Sequence, residues 1–154
     1  MPDLILLLDN IRSLQNVGAI FRTAAGFGVK KIILCGITGT PPRKEIAKTA
    51  LGAELKIEWE HVDNLQFEMK KLKNAGYKFA ALEITPTAIP IQNYHIPDGT
   101  RIALIVGNEV EGVNSDILRS SDVHLMIPMT NKIRSFNVAA ATAVALYELT
   151  RDRM

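Results

Sequence analysis

The chain has 154 residues, 47% of them hydrophobic and 22% charged, with 18 Lys and Arg against 16 Asp and Glu for a formal charge of +2. That length and balance fit one globular domain with a substantial core, and a charge bias this weak does not announce nucleic-acid binding, so any such function rests on local patches. A single cysteine, Cys35, excludes an intramolecular disulfide and any cysteine-cluster metal site.

Leu4 to Leu8 is a continuous apolar run, the pattern of a strand buried on both faces of a parallel sheet, and a polar loop from Asp9 to Gln15 follows it. Ser13 or Asn16 can cap the next helix, with Val17, Ile20, Phe21, Ala24 and Ala25 on its core side and Gly26-Phe27-Gly28 as its stop. Lys31 to Cys35 reads as a second strand, with Cys35 as a buried, inert thiol after Ile32-Ile33-Leu34. A short helix over Lys44 to Leu51, a strand over Leu55 to Trp59, a helix over Leu65 to Ala75 and a strand over Phe79 to Leu82 continue the alternation.

After a connection containing Pro86, Pro90 and Pro97 come a strand over Arg101 to Val106 and a short helix over Ser115 to Ser120. A strand over Val123 to Ile127 and a terminal helix from about Ser135 to Thr150 complete the series. The alternation predicts an α/β fold with a mostly parallel sheet and helices on both faces. The apolar runs Ile102 to Val106 and Val138 to Leu146 fall short of a bilayer span, and the N-terminus lacks signal-peptide character. A soluble, cytoplasmic protein with no membrane segment is expected.

Ligands of open α/β sheets collect beyond the carboxyl ends of the strands, so the loops after Leu8, Leu82, Val106 and Ile127 are the places for chemistry. On the first helix Gly18, Arg22 and Gly26 are spaced four apart on one face, flanked by Ala19 and Ala25. Small neighbours leave room beside the guanidinium for a phosphate or another chain; a surface arginine in a helix ion pair is the plainer alternative. GNEVEGVN, residues 107 to 114, follows a strand directly: its glycine lets backbone approach a ligand, and Glu109 and Glu111 offer acceptors. The alternative there is a turn that starts the next helix, capped by Asn114 or Ser115.

IPMTNKIRSFNVAAA, residues 127 to 141, joins a strand to the last helix through Lys132 and Arg134, with Ser135 and Asn137 where the helix begins. Free N–H groups at a helix start suit anionic or carbonyl-bearing ligands; capping by Ser135 explains that residue and leaves Asn137 without a role. Neither a dinucleotide-binding nor a P-loop glycine motif occurs, and His61, His95 and His124 stand apart without metal-ligand spacing. His124, in a strand, reads as a packed or interface residue.

Taken together, N-x-G-x-x-x-R at Asn16, Gly18 and Arg22, then G-x-E-x-x-G at Gly107, Glu109 and Gly112, then I-P-M followed by S-x-N at Ser135 and Asn137, resemble the three motifs of the TrmH/SpoU family of SPOUT-class RNA methyltransferases. PPRKEIAKTALGAE, residues 41 to 54, also looks like a stretch of that family, so the resemblance spans nearly the whole chain. Asn131 stands where the family usually has glycine and Ala139 where serine is common; asparagine tolerates a left-handed backbone.

The resemblance implies a parallel α/β domain with a trefoil knot in its C-terminal part; a single domain over residues 1 to 154 is expected, without the extra RNA-binding domain that many relatives carry. It implies S-adenosylmethionine as methyl donor, in a pocket built by Leu82, Gly107, Ile127, Met129, Ser135 and Val138. It further implies a homodimer in which Arg22 reaches the partner's site, and transfer to a ribose 2′-hydroxyl of tRNA or rRNA. In this reading Arg22 orients a phosphate and stabilises negative charge, while Asn16 positions the ribose or Arg22. Glu109 orders the loop and its polar network, and Ser135 with Asn137 braces the pocket.

Arg12, Arg43, Lys44, Lys132 and Arg134, with Lys30, Lys31 and Lys48, are candidates for the RNA surface. Two other classes compete. One is a catalytically silent RNA-binding dimer on the same scaffold, marked by RNA association without methyl transfer. The other is a Rossmann-like oxidoreductase, whose glycine fingerprint is missing.

Overall fold

The computed structural model describes residues 3–153. Seven strands, β1 (Asp3–Asp9), β2 (Lys31–Cys35), β3 (Glu58–Val62), β4 (Tyr77–Leu82), β5 (Ile89–Pro90), β6 (Arg101–Val106) and β7 (Val123–Met126), form one sheet in the order β3-β2-β1-β6-β4-β7-β5. Every pairing is parallel, with Leu8 beside both Leu34 and Val106 at the carboxyl end. The helices are α1 (Leu14–Gly26), α2 (Lys44–Ala50), α3 (Leu65–Asn74), α4 (Ser115–Arg119) and α5 (Val138–Thr150). Among the described residues no helix is long and apolar enough to cross a membrane.

The apolar run of β1 supplies both faces of the sheet. Leu4, Leu6 and Leu8 join the core that includes α1, α2 and α5 residues, while Ile5 and Leu7 join the core of α3 and α4. Burial of these side chains contributes roughly 1.5–3 kcal/mol each, which is why a central parallel strand carries no polar face. Cys35 is buried on the second face, and burial, followed by the nearby Asp9, Glu68 and Glu60, pushes its thiol well above the usual range. An unionised, covered thiol is inert.

Helix α1 is capped by Ser13, whose Oγ accepts the Asn16 N–H at 3.1 Å, so Asn16 lies inside the first turn with its side chain free for other work. Gly18 is buried against α2: a Cβ there would collide with Thr49 Oγ1 and the Ile46 carbonyl oxygen. The small residue on the Arg22 stripe therefore serves packing within this chain, contrary to the expectation that it leaves space for a ligand or a second chain. Gly26, by contrast, meets nothing within 4 Å.

Apart from shifts of one or two residues, the elements depart from the sequence reading in three places. The strand expected over Leu55 to Trp59 is Glu58–Val62; Ala53–Leu55 is instead a short 3-10 turn after Leu51 and Gly52, both at positive φ. Leu55 is 88% exposed and Ile57 is the buried residue, so the apolar Leu55 misplaced the start. Ile89–Pro90 is a short edge strand within the connection read as strandless, a place where proline's missing N–H is harmless. The last helix starts at Val138, three residues after Ser135.

Candidate functional site

The carboxyl ends of β4, β6 and β7 border an open cavity of about 290 Å³, lined also by the segment leading into α5. Leu82, Gly107, Ile127, Met129, Ser135 and Val138, scattered over 57 positions of sequence, all line it. Sheet topology brings them together: β4 and β7 are neighbours, and β6 lies on the other side of β4. The walls are mixed, with apolar Leu82, Ile127, Met129 and Val138 beside the charged Glu83 and Arg134. Such a concave, partly apolar site with a few fixed polar groups suits a small organic ligand.

A chain of hydrogen bonds ties the three sequence motifs together. Glu109 Oε1 accepts the Arg12 N–H at 2.8 Å and Oε2 the Ser13 N–H at 2.8 Å; Asn16 Nδ2 donates to Oε2 at 3.2 Å. Asn137 Nδ2 then donates to Asn16 Oδ1 at 3.2 Å, and Asn137 Oδ1 accepts the N–H groups of Ala139 and Ala140 at the start of α5. Burial pushes the Glu109 carboxyl upward, but the backbone donors of Arg12 and Ser13, then Asn16, outweigh it and hold the group below its ordinary value. A carboxylate committed to three donors is a brace between two loops, and Glu111 stays exposed at the loop tip.

Asn137, not Ser135, caps the last helix, which answers the role that capping by Ser135 left open. Ser135 lies in the exposed segment before it and faces the cavity. Asn131 and Lys132 both take positive φ, 60° and 57°, so asparagine fills a left-handed position there. Gly107 lines the cavity and has a reason beyond the one expected: a Cβ on it would collide with the backbone of Gly112 as the loop closes on itself through Asn108 and Gly112.

The sequence reading passed over Glu83 and Asn108. Asn108 Oδ1 accepts the N–H groups of Val110 and Glu111 while its Nδ2 donates to the Asn10 carbonyl at 2.8 Å, fixing the loop to the end of β1. Glu83 follows a strand with no motif around it; its position immediately after Leu82, at a strand's carboxyl end, was the available signal.

Arg22 is exposed on α1, makes no ion pair or hydrogen bond among the described residues, and is not part of the cavity wall. Arg12, Arg43, Lys44, Lys48 and Lys132 are exposed as expected of a basic surface, and exposed Arg134 also borders the cavity. Lys30 and Lys31 are different: they sit at the start of β2, the opposite end of the sheet, paired with Asp3 and with Glu58 and Glu60 respectively. His124 is held on both sides, Nδ1 to Thr85 Oγ1 and Nε2 to the Leu118 carbonyl, each at 2.8 Å.

Comparison with known proteins agrees with this architecture. An uncharacterized tRNA/rRNA methyltransferase of Mycoplasma genitalium is 35% identical over 143 residues, covering 93% of this chain and 59% of that protein. The tRNA (guanosine(18)-2'-O)-methyltransferase of Aquifex aeolicus is 32% identical over 152 residues, covering 98% of this chain and 70% of that protein. The AdoMet-bound rRNA methyltransferase from Sinorhizobium meliloti superposes with a TM-score of 0.90 at 26% identity, over 99% of this chain and 57% of that structure. The chain thus spans between about half and two thirds of the length of the first of the curated relatives it matches. The description of the SpoU rRNA Methylase family matches residues 3–147, and the chain belongs to that family.

Proposed function

We propose that this chain is an S-adenosylmethionine-dependent RNA methyltransferase that modifies a ribose 2′-hydroxyl of tRNA or rRNA. It would work in the cytoplasm as a homodimer, as one domain with a C-terminal trefoil knot. The observation that carries the reading is the cavity beyond β4, β6 and β7, with the Glu109–Asn16–Asn137 hydrogen bonds beside it. Family membership and the activities for which the Aquifex and Sinorhizobium proteins are named support it. The bond from α5 back to α1, across 121 residues, supports a C-terminal segment folded onto the start of the chain.

The cavity fits the donor by the chemistry of its walls, with apolar side chains for a purine and both signs of charge for an amino-acid end. Leu82, Ile127, Met129 and Val138 would hold its apolar part, with Gly107 and Ser135 offering polar backbone beside them. When bound, the donor supplies a methyl group activated by positively charged sulfur.

The chain's own residues do the rest. Glu109 and Asn137 hold Asn16 in one orientation, leaving a fixed polar edge for the acceptor ribose. Arg22 of a second copy meets the RNA phosphate and the oxygen that becomes negative; a guanidinium is always a donor, so it steadies that oxygen rather than removing its proton. Alignment of the two reactants supplies the larger share of the acceleration. Exposed Arg12, Arg43, Lys44, Lys132 and Arg134 contribute phosphate contacts, which set affinity but not sequence choice.

The test is incubation with radiolabelled S-adenosylmethionine and separated tRNA and rRNA from a host lacking the modification, followed by digestion to nucleosides. A labelled 2′-O-methyl nucleoside in one fraction supports the reading and identifies the RNA class. Tight RNA binding without label would replace it with a silent RNA-binding dimer.

A further inference from the structure

We propose that Glu83 reads the ribose diol of the methyl donor, its carboxylate accepting hydrogen bonds from the two neighbouring hydroxyls. This rests on the cofactor reading of the cavity and assigns a residue outside the three motifs. Glu83 lines the cavity immediately after the last residue of β4, at the carboxyl end of a parallel strand. Its backbone N–H donates to the Leu125 carbonyl at 2.9 Å, so the residue is fixed to β7.

The side chain is anchored at both oxygens. Oε2 accepts the Val113 N–H at 2.9 Å and Oε1 the Ile84 N–H at 3.0 Å. Gly112 makes this possible, because a Cβ there would collide with Oε2. An ionised carboxylate has about four lone-pair sites, so each oxygen keeps acceptor capacity after these bonds. No cation pairs with Glu83 among the described residues.

The other acids of the cavity wall are differently placed. Glu109 is committed to the Arg12 and Ser13 backbone, and Glu111, which also borders the cavity, is exposed on the loop with no hydrogen bond fixing its carboxylate. Two adjacent acceptors with fixed spacing match a vicinal diol, the use to which an acid at a strand end is put in dinucleotide-binding sheets. A lone ammonium group would need only one of them.

The experiment is calorimetric titration of wild-type protein and Glu83→Gln with S-adenosylhomocysteine, its 2′,3′-dideoxy counterpart and methylthioadenosine, which keeps the diol but lacks the amino-acid end. The amide retains an acceptor for the Val113 N–H, but its NH2 cannot accept from the Ile84 N–H and removes one ligand acceptor. Loss of charge-assisted bonds should weaken S-adenosylhomocysteine and methylthioadenosine alike, by roughly tenfold or more, and the dideoxy ligand much less. Equal weakening of all three overturns the proposal in favour of a loop-bracing role, and weakening of S-adenosylhomocysteine and its dideoxy counterpart alike, with methylthioadenosine spared, overturns it in favour of an ammonium contact.

Wild-type protein supplies an independent arm should the variant fold poorly: it must bind S-adenosylhomocysteine roughly tenfold tighter than the dideoxy ligand, and equal affinity overturns the inference. Wild type binding none of the three would overturn the cofactor reading itself, a failure distinct from a diol that goes unread.

Discussion

Asn137 uses one side chain for two purposes: its Oδ1 caps α5 through the N–H groups of Ala139 and Ala140, and its Nδ2 donates to Asn16 Oδ1 at 3.2 Å. The start of the last helix and the first turn of α1 are thereby held in one geometry, although they lie at opposite ends of the chain. Substitutions can separate the two purposes. Asn137→Ala should lose about 1 kcal/mol of stability with the cap. Asn137→Asp keeps a capping oxygen but sets a carboxylate against Asn16 Oδ1; thermal melting should stay near wild type while methyl transfer falls. Equal transfer by the Asp variant and wild type would remove Asn16 orientation from the mechanism.

Gly18 and Gly26 share a helix face but not a role. Gly18→Ala should destabilise by about 1–3 kcal/mol, because α1 cannot retain its approach to Ile46 and Thr49. Gly26→Ala, with nothing within 4 Å, should be neutral or stabilise by up to about 1 kcal/mol. Urea unfolding of the two variants checks the contrast.

Glu109 is held below its ordinary value of 4.5 in the folded chain. A depressed carboxyl contributes stability that is fully present above its unfolded value and is lost as pH falls through the folded one. Wild type should therefore exceed Glu109→Gln in melting temperature at neutral pH, with the gap narrowing as pH falls below 4.5 and through the lower folded value. A gap independent of pH would mean that charge is not what braces the loop.

Arg22 stands outside the cavity of its own chain, so its contribution should appear across subunits. Arg22→Ala should lower transfer by roughly 10²–10³ while sparing binding of S-adenosylhomocysteine. Co-expression of Arg22→Ala with Asn16→Ala chains should recover activity that neither homodimer shows, if each site takes its arginine from the other chain. Failure to recover, with mixed dimers demonstrated, would place Arg22 in its own subunit's chemistry.

Cys35 should resist a thiol-specific reagent in the native protein and react once urea opens the core, since burial holds the thiol unionised. Mass spectrometry of labelled native and denatured samples reads this directly.

The strand–helix alternation, the buried central strand and the three motif stretches were legible in the linear chain because each is a local pattern. Leu4 to Leu8 is apolar throughout because both faces are covered, and Ser13 can cap because its oxygen reaches a donor three residues away. Local patterns misled where exposure broke the rule, as at Leu55, whose 88% exposure no hydropathy pattern reveals.

Other features depend on strands meeting out of order. β7 lies between β4 and β5, so Glu83 and Leu125 touch, and the cavity gathers residues from Leu82 to Val138. Gly18 looked like a gap for another molecule until α2 occupied it, and local pattern alone gave Asn137 no partner until Asn16 came within hydrogen-bond reach. The chain's periodicities encode which face of each element is buried, because burial acts residue by residue. Which distant polar groups become partners depends on how those faces stack, and that is a property of the assembled sheet.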